Sequence, residues 1–294
     1  MAGVPEAGRN RRRALLAAAA AGALLTVSPA PAAAVVGIGN VDFNGPPPPA
    51  LCINPDPIDL VQASGPAAPS YTVPSIPGQS SVISSWSHHA ATGSAPIGFK
   101  VYRPAGGSTY TVVAHDGPRP LTSGAVNTFS GLHIPVQPGD VIGLHTGAAP
   151  TACHFSAPGE SYLFRSGDLS DGQQGSFVLN SGEYLNVSAL VEPDNRVTVS
   201  GIKRKKKRGT ARITLNIPNP GDLHLLGKAV RVRGAHNLHV TPGPLSFVIG
   251  TLGFAKEKLL ARGKVRVEVQ IVYAPTGGTG VTQKQPVKLL KQLR

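Results

Sequence analysis

Aromatic side chains make up only 5% of the 294 residues, and just one of them is a tryptophan. That scarcity argues against the stacked aromatic platforms on which single-stranded nucleic acid is read. It also leaves a sugar-stacking surface with few candidates: Trp86, Tyr71, Tyr102, Tyr110, Tyr162 and Tyr184. Tyrosines on strands are mostly half-buried packing residues, and the neighbours of Trp86 point it into a core. Cysteine is almost missing, with Cys52 and Cys153 alone. There is no C-x-x-C spacing, so two free thiols serving as catalyst or metal ligands are the weaker reading. One disulfide is the default in an oxidising compartment. It would tie the arm around Cys52 to a late loop, closing about 100 residues for roughly 4–5 kcal/mol of chain entropy. Catalytic signatures are lacking too: no G-x-S-x-G elbow, no H-E-x-x-H, no phosphate-binding glycine loop and no nucleotide fingerprint. The expectation is a protein that is not an enzyme and carries no cofactor.

Long apolar runs are confined to the first residues. Arg9, Arg11, Arg12 and Arg13 precede the uncharged stretch Ala14 to Val27, which is too short for the ~20 residues of a comfortable membrane span. Ala32-Ala33-Ala34 then fits a small-residue cleavage rule. Residues 1–34 read as a signal peptide cut after Ala34, or after Ala32. Arg12-Arg13-Ala14-Leu15-Leu16 also allows twin-arginine export. With no second apolar segment, the expected product is secreted, extracellular or held at the cell surface, with no transmembrane segment after cleavage.

Acidic residues nearly vanish from the second half. From Val35 to Asn195 the chain holds 4 Lys+Arg against 11 Asp+Glu, a net of −7; from Arg196 to Arg294 it holds 20 against 3, a net of +17. Asymmetry of this kind argues for two domains with different surfaces. The change of sign falls near Lys203-Arg204-Lys205-Lys206-Lys207-Arg208, six consecutive cations followed by Gly209. Val197 and Val199 alternate before the run, and Ala211, Ile213, Leu215 and Ile217 after it, which reads as strand, charged turn, strand. Six cations on one turn raise the local potential by several kT and attract polyanions at low salt. The competing reading is a solvated hairpin tip that protects a sheet edge from aggregation.

The Gly and Pro content, 35 and 28 residues, punctuates many short alternating runs. Residues 35–51, with Pro46-Pro47-Pro48-Pro49, read as a Pro/Gly-rich arm. Residues 52–193 offer eight to ten short strands and read as a jelly-roll-like antiparallel sandwich. Residues 196–294 have the size of an immunoglobulin-like sandwich. Their clearest strand is Lys264 to Tyr273, with Val265, Val267, Val269, Ile271 and Tyr273 on one face. Leu223 and Leu225 with Val230 and Val232 suggest a hairpin around Gly227. Phe254 to Arg262 reads as a short helix capped by Gly263, and Val287 to Leu290 as an edge strand that Pro286 begins. The fold class expected is all-β, two tandem antiparallel sandwiches behind a signal peptide.

Ser85-Trp86-Ser87, Lys100-Val101-Tyr102-Arg103-Pro104, Val136-Gln137-Pro138-Gly139-Asp140-Val141 and Arg165-Ser166-Gly167-Asp168 resemble a jelly-roll-type domain of secreted actinobacterial proteins. Lys205-Lys206-Lys207-Arg208-Gly209-Thr210-Ala211, with Val272-Tyr273-Ala274-Pro275-Thr276-Gly277-Gly278, resembles the basic immunoglobulin-like modules at their C-termini. Together these cover most of the mature chain and imply architecture rather than activity. Such proteins often carry acidic calcium-binding repeats between the domains. Here Glu192-Pro193-Asp194-Asn195 joins them directly, and calcium-dependent spacing is not expected.

The remaining candidates are few. His88, His89, His115, His133, His145 and His154 fall on strands without metal-ligand spacing, so no metal site is expected. His115-Asp116 with a serine is a generic triad combination. Asp168 and Asp171 with Gly172 form the only local acidic loop that suits calcium, and it lacks the full ligand series. The function expected is a non-enzymatic surface-associated binding or adhesion protein. Its basic module, through Lys203, Arg204, Lys205, Lys206, Lys207 and Arg208, holds anionic cell-envelope polymers or glycans rather than a specific nucleic acid. The alternative is a carbohydrate-binding module accessory to polysaccharide degradation.

Overall fold

The computed structural model describes residues 35–41, 50–52, 56–147, 149–232, 234–235 and 237–293. The expected signal peptide and the run Pro46–Pro49 lie outside the described residues. The chain is all-β, and one ten-residue helix is the only α-helix among the described residues. None of the described helices is long and apolar enough to cross a membrane.

The first twelve strands are β1 (Val36–Asn40), β2 (Ala50–Cys52), β3 (Ile58–Ser64), β4 (Ser81–His89), β5 (Ile97–Gly106), β6 (Thr109–Arg119), β7 (Val126–Val136), β8 (Val141–Thr146), β9 (Thr151–Ser166), β10 (Gln174–Ser176), β11 (Val178–Leu185) and β12 (Val187–Pro193). They build a four-stranded sheet, β1-β12-β4-β7, and an eight-stranded one, β10-β6-β5-β8-β3-β9-β11, with β2 beside β9. One hydrophobic cluster unites them, including Leu60, Ile83, Trp86, Phe99, Ile142 and Val187. Trp86 is fully buried. Its ring lies 5.4 Å from Phe99 and 4.5 Å from Phe129, and its Nε1–H donates to Asp116 Oδ2 at 2.7 Å. The one tryptophan therefore links both sheets, as its strand context predicts.

Two expectations need correction here. Residues 36–40, read as arm, form the edge strand β1, paired with β12 from Val36↔Val191 to Asn40↔Val187. Gly39 has φ +77°, and a Cβ there would stand 2.2 Å from Val187 O. That glycine permits close strand approach; it is not linker slack. The disulfide Cys52–Cys153 forms across 101 positions with Cα atoms 5.8 Å apart. Cys153, however, sits on the sixteen-residue strand β9 rather than in a loop, so the bridge staples two neighbouring strands.

The second part contains β13 (Thr198–Lys205), β14 (Thr210–Ile217), β15 (Gly221–Leu226), β16 (Val230–Val232), β17 (Leu238–Val240), β18 (Gly243–Thr251), α1 (Gly253–Arg262), β19 (Lys264–Pro275) and β20 (Val281–Leu290). Two four-stranded sheets result, β13-β14-β18-β16 and β17-β15-β19-β20. Ala211, Ile213, Leu215 and Ile217 from one sheet meet Leu223, Leu225, Val269 and Ile271 from the other in a separate cluster. The helix ends as expected: Gly263 takes φ 64° and its N–H donates to Leu259 O at 3.0 Å. The expected hairpin around Gly227 does not form. The chain changes sheets there, so Leu223 and Leu225 face Val230 across the core instead of pairing with it. Pro286 lies within β20, opposite Glu268, not at its start. The edge position tolerates it because an outward residue needs no ladder donor.

The two parts meet at the fully buried Asn219. Its Oδ1 accepts the Ser80 N–H at 2.8 Å, and its Nδ2 donates to Ser80 O and Asp194 O, both at 2.9 Å. Its carbonyl accepts the Tyr273 hydroxyl at 2.6 Å. Alongside, the Thr279 N–H donates to Glu192 Oε2 at 3.3 Å, and Asn195 Nδ2 to Thr279 O at 3.0 Å.

Candidate functional site

The six-cation run lies where alternation places it, with Lys203 to Lys205 ending β13 and the rest in the turn. All six side chains are exposed. The turn closes through Arg208 N–H to Lys205 O at 3.1 Å and Gly209 N–H to Lys206 O at 3.3 Å. Gly209 is buried at φ 64°, and a Cβ there would lie 3.0 Å from Leu259 Cδ2. This glycine lets the charged turn sit against α1. The chain end ties the arrangement together. Arg204 Nε donates to Lys288 O at 3.0 Å, Gln292 N–H to Lys206 O at 3.0 Å, and Lys291 N–H to Gly263 O at 2.7 Å.

Between turn, helix and chain end lies a cleft of about 400 Å³. Lys205 and Arg208 line it from the hairpin, Arg231 from β16, Lys256 from α1 and Lys291 from the C-terminal segment. Thr210, Thr251, Val248, Leu259 and Leu260 supply the rest of the wall, and no acid among the described residues lines it. Lys203, Arg204, Lys206 and Lys207 stay outside the lining. Arg231, Lys256 and Lys291 were missed by sequence reasoning. Each lies in a different segment among one or two other cations and in no conspicuous run, and only the net charge of the region signalled them. The three acids of that region are elsewhere engaged or turned away. Asp222 meets His239 at 3.2 Å, Glu268 meets Lys284 at 4.0 Å, and Glu257 stands exposed on α1.

A second polar cluster sits on the outer face of the eight-stranded sheet. Lys100 Nζ donates to Asp59 Oδ1 and Asp168 Oδ1, both at 2.6 Å, and to Leu169 O at 2.7 Å. Asp59, fully buried, also accepts His145 Nδ1–H at 2.9 Å and the Leu169 N–H at 2.9 Å. His145 Nε2 stands 3.6 Å from Asp168 Oδ2. Burial pushes the Asp168 carboxyl up, but the Lys100 hydrogen bond and the nearby His145 and His115 outweigh it and hold the group below the usual carboxylate range. Ligand atoms of Asp59, His145 and Asp168 come within 4.8 Å of one another, a geometry that suits a metal. The Lys100 ammonium already occupies the point between the carboxylates. All three of its donors are used, so the cluster works as a clamp that fastens the segment around Leu169 to the sheet.

The other sequence candidates separate. His115 Nδ1 pairs with Asp171 Oδ1 at 2.8 Å. Asp116 instead receives Trp86 and a two-point contact from Arg119, at 3.0 and 2.6 Å. Adjacent strand residues face opposite sides, so His115 and Asp116 do not form a dyad. Asp168 and Asp171 likewise turn to different partners. His133 Nε2 meets Asp194 Oδ1 at 2.8 Å beside the junction. His88 and His154 are buried, and desolvation pushes both rings down to about 4. Tyr71, Tyr102, Tyr110 and Tyr162 are buried as well, and offer no stacking face. No family model matches the chain, and no curated protein matches it.

Proposed function

We propose that this is a secreted, non-enzymatic, surface-associated binding or adhesion protein whose basic C-terminal part holds it on anionic envelope polymers. The single observation that carries the reading is the unopposed charge of residues 196–294. Twenty cations face three acids. None of the ion pairs among the described residues joins the acidic part to the basic one. An intramolecular disulfide and the lack of a membrane-spanning helix among the described residues are compatible with export. Strand order supports the finer architecture. β1-β12-β4-β7 over β6-β5-β8-β3 is the order of two interleaved Greek keys, the jelly-roll arrangement. β13-β14-β18-β16 over β15-β19-β20 suits an immunoglobulin-like order, with β17 added beside β15.

Fractionation of the producing culture tests retention. The protein should stay with cells at low ionic strength and be released by about 1 M salt, where the screening length falls to about 3 Å. Protein found wholly in the medium at low salt, with none released by the wash, removes the reading. A glycan-binding role for the first part draws on one feature, a 220 Å³ pocket lined by His115, His145, Asp168 and Ser170. A glycan array with the full mature chain decides it, and absence of binding to any sugar removes it.

A further inference from the structure

Electrostatic retention needs only a net positive surface, yet the five cations of the cleft are gathered in a way that mere solubility does not require. Lys205, Arg208, Arg231, Lys256 and Lys291 come from four separate places in the chain and converge on one concavity of about 400 Å³. Like charges so placed repel, and sequences usually relieve such repulsion with an interleaved acid. None is supplied among the described residues: no acid there lines the cleft, and the first turn of α1 contains none. The floor is shaped by Gly209, Gly250, Val248 and the buried Leu259, which leaves room rather than filling it. Volume and convergent polar groups both fall within the range of small-ligand sites.

The donors identify the ligand chemistry. We infer that the cleft between the charged hairpin, α1 and the C-terminal segment binds consecutive phosphate groups of a polyphosphate or phosphodiester chain. Each phosphate of either chain presents several oxygens to forked and point-charge donors, and a condensed polyphosphate puts a charge on every phosphorus, whereas a uronate sugar presents a single carboxylate. Arg208 and Arg231 supply planar forks for two-point contact with phosphate oxygens. The three lysines act as adaptable point charges, and the hydroxyls of Thr210 and Thr251 add neutral donors. This inference rests on the retention reading and sharpens it, because it moves specificity from the whole run 203–208 to two of its members plus three residues remote in sequence.

The test is calorimetric titration of the full mature chain with inorganic tripolyphosphate at about 0.1 M salt. Two triple variants are compared, R208Q/R231Q/K256Q in the cleft and K203Q/K207Q/K264Q outside it. Both remove three charges from exposed positions, and circular dichroism verifies that both remain folded. The cleft triple should bind at least about tenfold more weakly than the parent chain, and the outer triple less than about threefold. A glycerol-phosphate oligomer and a short DNA strand, titrated in parallel, identify the source of the phosphates. Loss of binding confined to the cleft triple supports the site with any of these probes. Equal weakening in both triples, or no binding of tripolyphosphate and of both oligomers by the parent chain, overturns it. Retention is read separately by the salt wash: a protein that elutes with salt yet shows equal weakening in both triples keeps the retention reading and loses the cleft.

Discussion

Lys100 and Asp59 illustrate how much a single side chain can hold in a mostly apolar sheet. The carboxylate is fully buried, and the ammonium beside it is 3% exposed. Taking away one partner strands the other in a poorly solvating place, which typically costs about 3–5 kcal/mol. Lys100→Met should therefore lower the guanidinium midpoint markedly and speed amide exchange at Leu169. Pairing it with Asp59→Asn should recover a large share, since no buried charge is then left alone and Asp168, 60% exposed, keeps its water. The buried histidines set the acid limit. His88 and His154 have folded values of about 4 against 6.5 for the free side chain. Between those values the unfolded chain binds more protons than the folded one, so stability rises with pH there. It is fully present at pH 7, declines as pH falls through 6.5, and levels off for these two rings below about 4. The ceiling is about 3 kcal/mol per ring. Asp116 and Asp168 extend the loss to lower pH. Burial raises each carboxyl, but Arg119 and Lys100 bring the net value below 3.8, and that stabilisation disappears only as those groups protonate. Denaturant midpoints at pH 7, 5.5 and 4.5 should fall in that order; a flat profile contradicts the assignment.

At the level of elements, what the sequence conveys depends on whether a residue acts through its neighbours or through distant chain. The second arm of the charged hairpin, β14, and the strand Lys264–Pro275 were legible because their period of two is uninterrupted and one face is buried almost throughout. The helix was legible from its glycine cap. β1 was not, since Gly37 and Gly39 mimic a linker, and the reason for Gly39 lies at Val187, nearly 150 positions away. The Gly227 region misled for a related cause: two apolar pairs around a glycine look alike whether they join in one sheet or face each other from two. The cleft shows the same limit. Its hairpin members stand in a conspicuous run, while Arg231, Lys256 and Lys291 become neighbours only when the chain end is tied back over the helix.

For the whole molecule, the contact between the acidic and basic parts is made of hydrogen bonds rather than opposing charges. Asn219 satisfies four of its polar capacities against Ser80 and Asp194, and its carbonyl holds Tyr273. Asn219→Ala removes the acceptor of the Ser80 N–H and a donor from the carbonyls of Ser80 and Asp194, while Ser80 O keeps the Asp194 N–H. Ser80 is exposed to water, which holds the cost to about 1 kcal/mol. The expected outcome is faster proteolytic cleavage between Pro193 and Val197, with the charged cleft unchanged in its phosphate affinity. Unchanged cleavage rates would mean that the contact is held by something other than this asparagine.

That joint has a mechanical consequence. If the cleft grips a polymer as proposed, a load on the acidic part reaches that grip through the junction. A floppy junction would let the acidic part swivel and dissipate the tug. One bolted by Asn219, Glu192 and Asn195 would deliver it as torque, and the acidic part would keep a constant bearing relative to the basic one.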